Sequence, residues 1–128
     1  MINGRAKGHT YERKWANYFM SIGYKQCVFS RLGCRLLDNS KVDLVFIPYL
    51  VQLKHVKARL KYEDIFLSME EELTKNFPKN SKELKFPKII IHRFGRKKYN
   101  EYAVIPIDDF KKLLKRLSEL DRESAINS

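Results

Sequence analysis

The amino-acid sequence points to an α/β chain, a single mixed β-sheet flanked by helices in the order αβββαββα. Three observations carry this reading. Apolar residues recur at helical spacing in three separate stretches. Between those stretches lie short runs rich in Val, Ile, Leu and Phe that suit strands. No repeat, low-complexity linker or shift in composition interrupts the 128 residues, so one sheet with helices on its faces accounts for the whole pattern.

The first helix is expected over residues 10–22, where Tyr11, Trp15, Tyr18, Phe19 and Ile22 share a face and Gly23 supplies the stop. Residues 25–30 form a short strand candidate, followed by a polar loop over 31–41. Residues 42–47 and 50–56 read as a hairpin turning at Pro48-Tyr49. Helical spacing returns over 62–77 through Ile65, Phe66, Met69, Leu73 and Phe77. Two more strands, 88–92 and 101–105, enclose a basic turn at Gly95. Asp108 then caps a last helix with Phe110, Leu113, Leu114, Leu117 and Leu120 as its buried stripe. The expected domain is 1–120, with 121–128 a polar, disordered tail.

Charge narrows the partners. Lys and Arg number 26 against 15 Asp and Glu, a net charge of +11, which favours a polyanion and above all nucleic acid. A membrane is not expected, because the longest apolar run, Leu44 to Val51, is far short of the roughly 20 residues of a span. The polar, basic opening lacks the apolar core of a secretory leader, so an intracellular setting is expected, in a cell or in one infected by a phage or virus. Cys27 and Cys34 then read as free thiols, and their spacing to His9, His55 and His92 matches no familiar zinc pattern.

The chemistry concentrates in the hairpin. A tight turn at Pro48-Tyr49 would set Ile47 opposite Leu50, Val45 opposite Gln52 and Asp43 opposite Lys54. Leu44, Phe46, Val51 and Leu53 then make one apolar face, while Asp43, Gln52 and Lys54 converge on the other. Buried polar groups are costly unless paired or used. A plain cross-strand ion pair between Asp43 and Lys54 is one account of them.

Asp43, eight intervening residues and Gln52-Leu53-Lys54 resemble the PD-(D/E)xK nuclease motif. Upstream, Lys7-Gly8-His9-Thr10-Tyr11-Glu12-Arg13 is similar to the opening of the archaeal and phage Holliday-junction resolvases, and Arg31-Leu32-Gly33-Cys34 falls where that family has Arg-x-x-Gly-Ser. The three segments follow in family order across residues 5–57. The resemblance implies a restriction-endonuclease-like fold and a homodimer that cuts four-way DNA junctions with Mg²⁺, for which Mn²⁺ substitutes. It further implies Asp43, Gln52 and Glu12 as metal ligands and Lys54 as the charge that positions water or stabilises the phosphate. Lys7, Arg13, Arg31, Arg35, Lys57 and Arg59 become the DNA-binding set, and Arg93, Arg96, Lys97 and Lys98 form a further basic cluster.

Two departures weaken the match. Gln52 replaces a carboxylate, which removes a negative charge from the site unless Glu12 or Asp38 compensates, and Cys34 replaces Ser. Glu12 also reads simply as an acidic residue favoured in a first helical turn. The competing functions are a nuclease of the same fold acting on other DNA structures, and a nucleic-acid-binding module that has lost its metal.

Overall fold

A computed structural model of the chain describes residues 4–95 and 100–127, leaving aside the side chains of residues 4–7 and 127. Five strands form one mixed sheet in the order β1-β2-β3-β4-β5. The strands are β1 (Val28–Phe29), β2 (Leu44–Val45), β3 (Leu50–His55), β4 (Lys88–Arg93) and β5 (Glu101–Val104). Neighbours are antiparallel except β3 and β4, which run parallel from Leu50 beside Lys88 to His55 beside Arg93. A parallel pair needs a long crossover, and α4 (Tyr62–Asn76) with a 3-10 turn at Lys82–Lys85 provides it.

Helix α1 (Gly4–Ser21) covers one face. Tyr11, Ala16 and Phe19 bury against Leu44, Val51 and Ile91, with Trp15 and Leu53 packed at the margin. Tyr18 and Ile22, expected on the same stripe, are exposed. Gly23, at φ +119°, ends the helix as expected: its N–H bonds Met20 O at 3.2 Å and the N–H of Tyr24 bonds Phe19 O at 3.0 Å. The opposite face carries α4, whose Met69 and Leu73 close on Val42 and Leu50. Burying one such Leu or Met is worth about 1.5–3 kcal/mol, so these two layers dominate stability.

Several expectations are corrected. The first strand shrinks to Val28–Phe29 because Cys27 N–H turns back to Tyr24 O at 3.1 Å and a helix begins at Ser30. The polar loop folds into two short helices, α2 (Ser30–Gly33) and α3 (Arg35–Asn39). The hairpin does not turn tightly at Pro48-Tyr49. Phe46 takes φ +64° and leaves the sheet, so Val51 faces Leu44 rather than Phe46. Phe46 is accordingly exposed instead of joining the apolar face. Helix α5 (Ile107–Asn127) begins one residue before Asp108 and continues through the expected tail. Buried Asp109 ties it to the sheet, accepting the Lys88 N–H at 3.1 Å. Of its expected buried stripe, Leu113 alone is partly covered, while Phe110, Leu114, Leu117 and Leu120 are exposed.

Candidate active site

Asp43 enters the sheet from α3 after Lys41, whose φ of +68° redirects the chain. Its backbone is fixed on both sides: Ser30 N–H donates to Asp43 O at 2.8 Å, and Asp43 N–H to Val51 O at 2.8 Å. Its carboxylate accepts the Leu53 N–H at 2.6 Å. Asp43 thus grips β3 immediately before and after Gln52, and the expected direct pairing with Lys54 gives way to this one. The reason is the shifted register that Phe46 imposes.

Gln52 is the residue left wanting a partner. It is buried, and its Oε1 is the one buried side-chain oxygen or nitrogen without a hydrogen bond among the described residues. Such an orphan costs about 1–3 kcal/mol, which a structural role alone does not recover. Gln52 and Lys54 line an open cleft of about 270 Å³ together with Lys41, Asp64 and Ser68. Asp64 and Ser68 carried no motif in the sequence; only folding α4 beside β3 places them there.

Burial pushes the Asp43 carboxyl up to about 6. The Leu53 N–H opposes that rise, Glu12 adds to it, Lys54 opposes it and Asp38 adds to it. Glu12 and Asp38 are therefore electrostatic neighbours of Asp43, but each has another bond. Asp38 Oδ1 accepts the Ser30 hydroxyl at 2.9 Å. Glu12 forms an ion pair with Arg31, whose guanidinium also lies 4.6 Å from the centre of the Phe29 ring. Arg31, expected on DNA, spends its charge on Glu12 in this state.

Oxygen donors of this kind, a carboxylate and an amide carbonyl, suit a hard divalent cation. Asp43 and Gln52 carry donors of these two kinds, and Asp43 bonds the backbone on either side of Gln52. No compact group of three His, Cys, Asp or Glu exists among the described residues, so Glu12 would complete the set only by leaving Arg31. The buried carboxylate and the orphaned Oε1 fit a cation better than they fit an apolar core. A zinc site finds no such fit: Cys27 is buried, and both His92 nitrogens have partners at 2.9 Å, the Tyr62 hydroxyl and Val56 O.

Gly33 sits where α2 meets the sheet. A Cβ there would lie 2.7 Å from both Val28 Cγ1 and Val45 Cγ2 and 2.9 Å from Phe46 Cε2. Glycine is required by that close approach, and it sets the height of Arg31 and Ser30 above Asp43. Arg13, Arg35, Lys57 and Arg59 are exposed. Lys57 and Arg59 border a second cleft of about 380 Å³ floored by Tyr62, His92 and Phe94. The side chain of Lys7 and residues Arg96, Lys97 and Lys98 lie outside the described residues. Another cleft, about 540 Å³ beside Glu63, Glu70, Asp108 and Asp109, is acidic and repels phosphate.

No family model, characterised protein or solved structure is a significant match to this chain. No described helix is long and apolar enough to cross a membrane.

Proposed function

We propose that this protein is a Mg²⁺-dependent endonuclease of the restriction-endonuclease-like type that cuts four-way DNA junctions, acting as a homodimer. The observation that carries the reading is the unpartnered, buried Oε1 of Gln52, held between the two backbone grips of Asp43 and two residues before Lys54. Bound by Asp43, Gln52 and Glu12, Mg²⁺ or Mn²⁺ would polarise the scissile phosphate and lower the pKa of an attacking water. The chain's own contributions follow from its geometry. Asp43 holds a desolvated negative charge, which calls for a cation. Lys54 brings positive charge to the cleft that Gln52 lines, where it offsets charge growing on a phosphate oxygen. Arg31 exchanges Glu12 for a backbone phosphate when DNA arrives, which releases the carboxylate to the site.

The paired state of Glu12 also supports the rival reading, a nucleic-acid-binding module without metal chemistry. The two separate in one assay. In Mg²⁺, the wild type should nick a labelled junction, and Asp43→Asn should lose nicking by at least a hundredfold while binding the DNA as before. Binding without nicking in either Mg²⁺ or Mn²⁺ would establish the module instead.

A further inference from the structure

We infer that the cleft beside Lys57 and Arg59 holds an unpaired nucleotide of a DNA strand, its base against the rings of Tyr62 and Phe94 and its phosphates met by the two cations. The cleft lies past the carboxyl ends of the parallel pair, since Lys57 and Arg59 follow β3 and Phe94 follows β4. In open sheets with parallel strands, that end is where ligands settle. Its volume of about 380 Å³ falls within the roughly 300–1,000 Å³ of small-ligand sites.

The walls are aromatic and the rim is cationic. The Tyr62 and Phe94 rings pack on His92 at centroid distances of 5.9 and 4.9 Å, and Phe94 stacks in turn on Tyr102 at 5.6 Å with 17° between the planes. This row of rings runs from buried His92 to Tyr102, which is 46% exposed. His92 is fixed by the Tyr62 hydroxyl at Nδ1 and by Val56 O at Nε2, both at 2.9 Å, so the row is set before a ligand arrives. With those polar atoms already bonded, the cleft offers ring faces rather than hydrogen bonds, and a ring face accepts any base. Lys57 and Arg59 are exposed and enter no ion pair among the described residues, and no carboxylate lines the cleft.

Rings beside uncommitted cations are complementary to a base joined to phosphate. An apolar peptide would leave the cations unmatched, and an intact duplex keeps its base faces inside the stack. A strand, unlike a free mononucleotide, also draws on the net charge of +11. The inference rests on this chain binding nucleic acid, which the nuclease and module readings share, and not on cleavage.

Anisotropy titrations in EDTA, which keeps cleavage out of the readout, compare an oligomer of about eight thymidines with a wholly abasic oligomer of the same length and charge. The wild type should bind the thymidine oligomer about tenfold tighter, and Phe94→Ala should reduce that preference below about twofold. Phe94→Tyr keeps a ring in place and should keep the preference, which separates a lost stack from a damaged fold. Lys57→Gln with Arg59→Gln should weaken both oligomers by the same factor, because their phosphates are the same. Equal binding of the two oligomers by the wild type, or a preference that Phe94→Ala leaves intact, would overturn the inference. Displacement of the thymidine oligomer by micromolar thymidine monophosphate would overturn it in favour of a free nucleotide. None of these outcomes depends on whether the Asp43 site cuts.

Discussion

Asp43 pays a folding cost for its charge. Its carboxyl has an ordinary value of 3.8 and is pushed up to about 6 in the fold, chiefly by burial. Between those two values the folded state binds more protons than the unfolded one, so stability falls as pH rises through that window. The loss is complete above about 6 and absent below about 4. Asp43→Asn should therefore raise the melting temperature of the metal-free protein at pH 7.5, by an amount worth on the order of 3 kcal/mol. The gain should vanish near pH 4; a gain that is independent of pH would mean that the buried charge is not its source. Gln52→Glu should do the reverse, adding a second buried carboxylate that destabilises the metal-free chain and steepens its stabilisation by Mg²⁺. Thermal melts of both proteins over a Mg²⁺ series read this directly, and identical Mg²⁺ responses would place Gln52 outside the metal's reach. Asp43, Gln52 and Lys54 were legible in the sequence because alternation puts them on one polar face whichever way an even register shift falls. The ion pair of Arg31 with Glu12 was not legible, since it joins α1 to α2 across 19 positions and depends on how closely Gly33 lets α2 approach.

Helix α1 is fastened to the far edge of the sheet as well as to its centre. The Tyr11 hydroxyl donates to Glu101 Oε2 at 2.6 Å, and Lys14 Nζ and Trp15 Nε1 reach the same carboxylate at 3.4 Å. Burial pushes Glu101 up, but the Tyr11 and Lys14 contacts outweigh it and the net shift is downward. A lowered carboxyl contributes stability that is present above its unfolded value and is lost as pH falls through the folded one. Tyr11→Phe should then cost about 1–2 kcal/mol at neutral pH and progressively less below about pH 4. Urea denaturation at both pH values checks it, and a cost that does not change with pH would assign the loss to packing. Gly33→Ala should destabilise by about 1–3 kcal/mol, because the Val28, Val45 and Phe46 side chains must all give way. An unchanged urea midpoint would show that α2 moves freely on the sheet. Helices α1 and α4 and the β4–β5 pair were readable from periodicity because each buries one regular face. The short helices at 30–39 were not, since their few turns have no period of their own. Helix α5 was readable as a helix, yet its stripe says only that something covers it, and the described chain does not.

The molecule joins a strongly basic composition to one buried carboxylate, Asp43. A net charge of +11 would attract a polyanion of almost any shape at low salt, so affinity alone would say little about a substrate. Selectivity would have to come from geometry, and the proposed homodimer would present two clefts in a two-fold arrangement suited to a junction with paired symmetric strands. The resemblance that suggests this substrate spans residues 5–57, and the fold adds one mixed sheet with helices on both faces. Side-by-side cleavage of a four-way junction and a linear duplex of equal arm length, in Mg²⁺ at about 150 mM salt, tests the account most directly. Paired nicks at symmetric positions in the junction, formed at least tenfold faster than any duplex cut and absent with Asp43→Asn, are the predicted result. Equal cutting of both DNAs, or no metal-dependent cutting of either, would contradict it.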